Sequence, residues 1–249
     1  MRKNLLLAAA ALLACLSMQA QQLYNMGFDT WSKQGGVWYP YAKDAPDSRK
    51  VWDSANKGLS LLGVNSTVPE YKHTAVAGKA AAKVQSRKVL WAFVAGNLFT
   101  GRFIRVVEMS GAEMEFGAPF SGRPKTLSGF FHYLPATINY AQAPYKHLKG
   151  KQDVGRIEVI LTDWTEPQHI DTTKEPFIDA EKNPHVVGRA VLDLKDATDG
   201  YVPFEIPIEY RNGKTPKYAF IYVTPSRYGA FFTGGSGSTL YVDEFRFNY

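Results

Sequence analysis

The chain has 249 residues, of which 45% are hydrophobic, 21% are charged and 14% are aromatic. This composition is typical of a globular protein with a sizeable core, and it excludes disordered, collagenous and disulfide-scaffold chains. The formal net charge of +6 comes from scattered lysines and arginines. A nucleic-acid-binding protein would be expected to cluster these residues on one stripe, so nucleic acid is excluded as a partner.

The N-terminus has the features of a secretory signal. Arg2 and Lys3 precede an apolar run from Leu5 to Leu16, and polar residues follow. A basic start and an apolar stretch of roughly 7–15 residues predict export. The run is shorter than the about 20 residues that span a bilayer as a helix. We expect residues 1–20 to be removed and the protein to work in the periplasm, at the cell surface or outside the cell.

Two processing sites are open. Ala20 fits the residue before a signal-peptidase cut, which leaves a soluble chain without cysteine. Alternatively, residues 12–15 resemble a bacterial lipobox, in which Cys15 would carry a lipid anchor. Since Cys15 is the single cysteine, neither route allows an intrachain disulfide, and stability must come from the core.

Short alternating segments bounded by Gly, Pro and Asn predict strands after the signal. In residues 156–162, for example, Ile157, Val159 and Leu161 alternate with Arg156, Glu158 and Ile160. Strands at this spacing predict an all-β sandwich or barrel. We expect one domain over 23–249. The predicted strands are 102–108, 113–116, 126–133, 156–162, 190–194, 202–206, 218–223 and 239–247.

Some segments give a weaker signal. Residues 75–84 alternate as a strand would, although Ala and Lys also favour a helix there. Pro203 and Pro207 within an apparent strand indicate a sheet edge or a bulge. We predict that residues 142–155 and 166–188 are surface loops and that residues 32–74 are irregular. Long loops of this kind are usually functional or flexible.

Five motifs follow one another along nearly all of the mature chain. They are Phe28-Asp29-x-Trp31, Trp52-x-Ser54-Ala55-Asn56-x-Gly58, residues 96–101 (GNLFTG), Gly117-x-Pro119-Phe120-x-x-Arg123-Pro124 and Gly237-Ser238-x-Leu240-Tyr241-Val242-Asp243-Glu244. In this order they resemble the motifs of the putative carbohydrate metabolism domain family. The resemblance implies a jelly-roll-like β-sandwich, similar to carbohydrate-binding modules, with a role in glycan handling. Ala230 stands where the family tends towards a polar or acidic residue.

Five residues in or near these motifs are candidates for glycan contact. Aromatic rings stack on the apolar C–H face of a sugar while nearby polar groups fix its hydroxyls. Trp38 and Trp52 are the aromatic candidates, and Asn56, Asn97 and Arg123 are the polar ones.

Each candidate has a structural alternative. Large rings also fill cores, the role we expect for Trp31 and Trp91. Asn97 between glycines fits turn geometry, and Asn56 could cap a turn. Arg123 could instead tie a loop to a buried acid.

Metal and catalytic signals are sparse. Because jelly rolls often hold a structural calcium, Asp243 is the candidate ligand, with Asp29 as its partner. The alternative is that Asp243 binds backbone amides. A glycosidase needs two carboxyl groups about 5–10 Å apart. Asp163 and Glu166 have a spacing that is also common at strand ends, and Asp243 and Glu244 would point to opposite faces of a regular strand.

The leading interpretation is an exported, non-catalytic β-sandwich that binds carbohydrate and needs no cofactor beyond a structural calcium. A glycoside hydrolase or lyase of the same fold is the second interpretation. A surface structural or adhesion component is the third.

Overall fold

The computed structural model describes residues 20–107, 111–174 and 178–249. Almost all of the predicted signal segment, including Cys15, lies outside the described residues. Within these ranges, no helix is long and apolar enough to cross a membrane.

The described residues form short strands joined by turns, with one α-helix, α1, at Asn56–Leu59. Single 3-10 turns occur at Asp47–Arg49, Ser60–Leu62, Lys146–Leu148 and Gly229–Phe231. The strands are β1 (Ser32–Gln34), β2 (Val37–Tyr39), β3 (Trp52–Asp53), β4 (Thr67–Glu70), β5 (Ala81–Gln85), β6 (Arg87–Val89), β7 (Ala92–Val94), β8 (Leu98–Val107), β9 (Gly111–Phe116), β10 (Ala118–Pro119), β11 (Thr126–Leu134), β12 (Gly155–Thr162), β13 (Gln168–Asp171), β14 (Val186–Leu194), β15 (Val202–Pro207), β16 (Glu209–Tyr210), β17 (Tyr218–Thr224) and β18 (Thr239–Asn248).

Two antiparallel sheets make up the body of the protein. The larger sheet has the order β13-β9-β8-β17-β12-β14-β16, with β10 paired to β17 and β3 paired to β8. The smaller sheet has the order β15-β11-β18-β5-β4. The chain crosses repeatedly between the two sheets, and the predicted all-β, jelly-roll-like sandwich is confirmed.

The main core lies between the inner faces of the sheets. On β12, the predicted alternation holds: Ile157, Val159 and Leu161 are fully buried in this core. Leu240 and Val242 of β18 face them from the smaller sheet. Because side chains alternate along a strand, the residues between them point outwards. Each buried Ile, Val or Leu contributes roughly 1.5–3 kcal/mol of transfer free energy, so this core can stabilise the fold without an intrachain disulfide.

A second apolar cluster covers part of the outer face of the larger sheet. Phe99, Phe116 and Phe220 pack there with Ile160 and Trp164. The Phe116 and Phe220 ring centroids are 4.4 Å apart. This cluster closes one part of the outer face and leaves the neighbouring part of β12, β14 and β17 uncovered by it.

The structure confirms some of the local predictions and corrects others. β15 carries Pro203 and Pro207 and lies at the edge of the smaller sheet, as predicted. In the segment 75–84, a strand begins only at Ala81. The core prediction for Trp91 is wrong: Trp91 is 75% exposed, because Leu90 and Trp91 form the tip of the β6–β7 hairpin. Trp31 packs against the main core as expected.

Candidate functional site

A pocket opens on the outer face of the larger sheet, beside the second apolar cluster. Its floor comes from neighbouring strands, because Glu158 of β12 pairs in register with Tyr222 of β17 on one side and with Val191 of β14 on the other. Arg156, Glu158 and Arg189 line this floor together with Tyr222, and the cavity has a volume of about 210 Å³.

The polar part of the floor is a network of ion pairs. Arg156 binds Asp193 through two hydrogen bonds, Nε to Oδ1 at 2.7 Å and Nη2 to Oδ2 at 3.1 Å. Arg189 Nε donates to Glu158 Oε1 at 2.8 Å, and Arg227 Nη1 donates to Asp193 Oδ2 at 2.7 Å. Forked pairs of this kind fix both partners in orientation. The floor therefore presents donors and acceptors at set positions.

Aromatic rings form one wall of the pocket. Tyr145 comes from the loop between β11 and β12, and Tyr228 and Phe231 come from the segment between β17 and β18. The Tyr145 ring centroid lies 4.2 Å from that of Tyr228 and 5.0 Å from that of Phe231. The Arg227 guanidinium lies 5.1 Å from the Tyr228 ring centroid. Ring-to-ring contact and the 3-10 turn at Gly229–Phe231 hold this wall in place.

The opposite wall is the turn at residues 178–181. Asp179 Oδ1 accepts the backbone N–H of Glu181 at 3.1 Å, which shapes the turn. Glu181 bonds to Arg189 of the floor, and it lies 3.5 Å from Arg211 Nη2. The turn is therefore tied to the same charge network as the floor.

A cluster of aromatic and histidine rings packs on the outer face of the smaller sheet. His132 and Tyr241 stack with ring centroids 5.5 Å apart, and His73 from the 71–80 loop lies 4.9 Å from His132. Tyr201 Oη donates to the His73 carbonyl at 3.0 Å. Burial lowers the pKa of His132, and nearby His73 lowers it further. This ring cluster covers His132 of β11.

Trp52 lies in the main core. It is 1% exposed, its Nε1 donates to the Tyr24 carbonyl at 2.9 Å, and its ring meets Phe28 edge-on at 5.1 Å. The ring therefore has no free face for a sugar, which corrects the expectation of glycan contact at this residue. The physical reason is that β3 pairs with β8, and this pairing directs Trp52 between the sheets.

Asn56 is also buried, with 1% exposure. Its Nδ2 donates to the carbonyls of Trp38 and Thr67, and its Oδ1 accepts the backbone N–H groups of Ser66 and Thr67. Every hydrogen-bonding position of the amide faces the protein backbone. Asn56 joins three segments of the irregular N-terminal stretch and has no atom left for a ligand, so the expectation of glycan contact is corrected here too.

The other predicted residues are away from the pocket. Asn97 Oδ1 accepts the Ala55 N–H at 2.9 Å, a backbone role. Arg123 lies 4.0 Å from the Tyr210 ring centroid and donates to the carbonyls of Asn212 and Lys214, so it ties a loop through carbonyls. Trp38 is partly exposed, with Lys33 Nζ 5.5 Å from its ring.

Asp243 is fully buried and binds backbone amides. Its Oδ2 accepts the Ala75 N–H at 2.8 Å and its Oδ1 accepts the Glu244 N–H at 2.9 Å. Burial is the main reason that its pKa rises to about 6. Lys79 Nζ lies between Glu244 and Asp29, at 2.8 Å and 3.6 Å. Glu244 has φ +49°, so the strand is irregular where the alternation argument assumed regularity.

Asp163 pairs with Lys214 and with His185, and the Lys214 contact is the main reason that its pKa is lowered. Among the described residues, no group of three or more His, Cys, Asp or Glu side chains could hold a metal ion.

Most of the residues that line the pocket carry no functional signal in the sequence. Alternation did show that Arg156 and Glu158 share a face of β12, but it could not reveal that this face is open. Tyr145 lies in a segment interpreted only as a surface loop. Ala230 was the only lining residue that the family resemblance singled out. It stands where the family tends towards a polar or acidic residue.

A search of the curated proteins gave no match. A structure described as a putative glycoside hydrolase from Bacteroides thetaiotaomicron superposes with a TM-score of 0.68 and 23% identity, covering 92% of this chain and 71% of the other. A structure with the same description, from Bacteroides vulgatus, gives 0.68 and 21%, covering 90% and 96%.

At these identities the likeness is one of fold. The family comparison covers nearly the whole chain, since the model of the putative carbohydrate metabolism domain matches residues 27–248. The resemblance stated from the motifs is thereby confirmed, and the chain belongs to the putative carbohydrate metabolism domain family.

Proposed function

We propose that this protein binds carbohydrate in the outer-face pocket, as a single domain over 23–249, and does not cleave it. The observation that carries the proposal is the pairing of an aromatic wall with a fixed polar floor. Tyr145, Tyr228 and Phe231 offer ring surface, and Arg156 and Glu158 offer oriented donors and acceptors. Sugars need both, because they have an apolar C–H face and a rim of hydroxyl groups.

The test is a glycan array followed by calorimetry with the best ligand. Tyr228→Ala should weaken binding about tenfold or more, because it removes ring surface and loosens Tyr145. Tyr71→Ala is the matched control, since Tyr71 is a 60% exposed tyrosine outside the pocket. The proposal is wrong if no glycan binds across a broad panel. It is also wrong if Trp38→Ala abolishes binding while Tyr228→Ala leaves it unchanged.

A hydrolase is the second candidate, because two carboxylates converge on Arg156 of the pocket floor. Glu158 and Asp193 both contact the Arg156 guanidinium, at 3.6 Å and 2.7 Å. A glycosidase also uses two carboxyl groups around one bond. Reducing ends released from the bound glycan, and lost in both Glu158→Gln and Asp193→Asn, would favour this function over binding alone.

We also propose export, carried by the basic start and the apolar run of residues 5–16. Cell fractionation tests export. Labelled fatty acid that is incorporated into the wild-type chain, and not into Cys15→Ser, would identify a lipid anchor. Processing after Ala20 would identify the soluble form.

A further inference from the structure

The charges that line the pocket are balanced. Three guanidinium groups, those of Arg156, Arg189 and Arg227, line it together with three carboxylates, those of Glu158, Asp179 and Glu181. Asp193 adds a further acid against Arg156 and Arg227. Each of the three arginines therefore has at least one carboxylate partner.

Because the arginines are already paired with carboxylates, the pocket disfavours a negatively charged ligand. An anionic sugar is bound tightly when a guanidinium can fork onto its carboxylate or sulfate. Here Arg156 already forks onto Asp193, and Arg189 donates to Glu158. An incoming anion would have to displace one of these carboxylates or lie against it, and like charges in contact oppose binding.

Neutral hydroxyl groups suit the same floor. A hydroxyl donates one hydrogen bond and accepts others, so it can bind a carboxylate oxygen and a guanidinium N–H together. The floor places such pairs side by side, for example Glu158 Oε1 within 2.8 Å of Arg189 Nε. Carboxylates retain spare lone pairs after one bond, and guanidinium groups retain spare N–H donors.

The size of the pocket sets the number of sugar units. A cavity of about 210 Å³ is smaller than the roughly 300–1,000 Å³ of pockets for larger ligands. The aromatic wall and the turn at residues 178–181 bound it on two sides. One pyranose ring matches this space, and a second ring would extend beyond it.

From charge balance and size together, we propose that the pocket recognises one uncharged pyranose unit and makes no strong contact with the neighbouring units of the glycan. The inference rests on the proposed function, whose ligand class it narrows. Uronic acids and sulfated sugars are selected against by Glu158, the most buried of the three lining carboxylates.

The experiment compares matched methyl glycosides by calorimetry at pH 7. The neutral probes are the methyl glycosides of glucose, galactose, mannose and their N-acetylamino forms. The charged probes are the methyl glycosides of the corresponding uronic acids, called uronides here, with the carboxylate free. Neutral di- and tetrasaccharides of the same sugars complete the set. We expect one neutral methyl glycoside to bind at least tenfold more tightly than its uronide. The tetrasaccharide should stay within about threefold of the monosaccharide.

A uronide that binds equally well or better overturns the inference, and so does an affinity that rises more than tenfold from mono- to tetrasaccharide. In both cases, loss of binding in Tyr228→Ala would leave the proposed function standing. If none of the probes and no array glycan binds, the proposed function fails and this inference fails with it.

A variant pair tests the role of Glu158. Glu158→Gln removes one negative charge and keeps the side-chain shape. The ratio of uronide affinity to neutral-glycoside affinity should therefore rise at least threefold. Glu181→Gln removes a charge at the exposed rim, where solvent screens it, and should change this ratio less. If Glu158→Gln fails to fold, Asp193→Asn takes its place, because Asp193 pairs with two of the lining arginines, Arg156 and Arg227. Removal of its charge frees these arginines for an anion, so an unchanged ratio in Asp193→Asn overturns the charge-balance argument.

Discussion

Asn56→Ala is the substitution that best separates a structural role from a ligand-binding one. The side chain makes four hydrogen bonds to backbone groups, two as donor and two as acceptor, with distances of 2.5 to 3.1 Å. Alanine leaves the carbonyls of Trp38 and Thr67 and the N–H groups of Ser66 and Thr67 without these partners.

The expected cost follows from the burial of these groups. A buried hydrogen bond contributes about 1 kcal/mol net, and each partner left unsatisfied costs roughly 1–3 kcal/mol. Since water can reach some of these groups after local relaxation, we expect a loss of about 4 kcal/mol in the free energy of unfolding. For a chain of this size, that loss lowers Tm by roughly 8–16 °C.

Urea denaturation followed by circular dichroism measures the change. Asn139→Ala is the control, because Asn139 is exposed and its side chain accepts one N–H, from Ser236. It should cost less than about 0.5 kcal/mol. The structural role would be refuted if Asn56→Ala lowered the free energy of unfolding by less than about 1 kcal/mol and the fully folded variant bound glycan more weakly.

Two further predictions concern backbone strain and pH. Gly101 has φ +144°, and an added Cβ would lie 2.0 Å from the Glu115 carbonyl oxygen, so Gly101→Ala should cost about 3 kcal/mol or more in chemical denaturation. Gly150 has φ +85° with open space around it, so Gly150→Ala should lower the free energy of unfolding by less. Equal losses in the two variants would contradict the steric argument. Burial raises the pKa of Asp53 and of Asp243 to about 6, so both bind a proton in the folded state at pH values where the unfolded chain has lost it. The free energy of unfolding should therefore fall as the pH rises from about 4 to 6, by at most about 1.4 kcal/mol per unit and per carboxyl, and urea titrations showing a rise across this window would contradict the assignment.

The fold could be predicted because its signal is local. The segment predicted as 156–162 is the strand Gly155–Thr162, and the segment predicted as 218–223 is Tyr218–Thr224. Alternate burial imposes a period of two on each strand, and this period is readable without knowing the partner strand. The family motifs gave the same answer independently.

The pocket could not be predicted because its signal is spread along the chain. Glu158, Arg189 and Tyr222 meet only through the pairing of three strands, and nothing in each strand specifies its partner. Strand partners that cannot be identified from the sequence also explain why Trp52, a core residue, was expected to contact glycan. A tryptophan beside irregular segments resembles a loop aromatic until β3 is seen to pair with β8.

The two prolines of β15 have a consequence for how these molecules meet one another. β15 ends the smaller sheet, and a sheet end is where a second chain can add a strand through backbone hydrogen bonds. Pro203 and Pro207 have no N–H, so two of the six residues of this strand offer no donor to an incoming chain. This edge of the smaller sheet is thereby blunted against edge-to-edge aggregation of folded molecules.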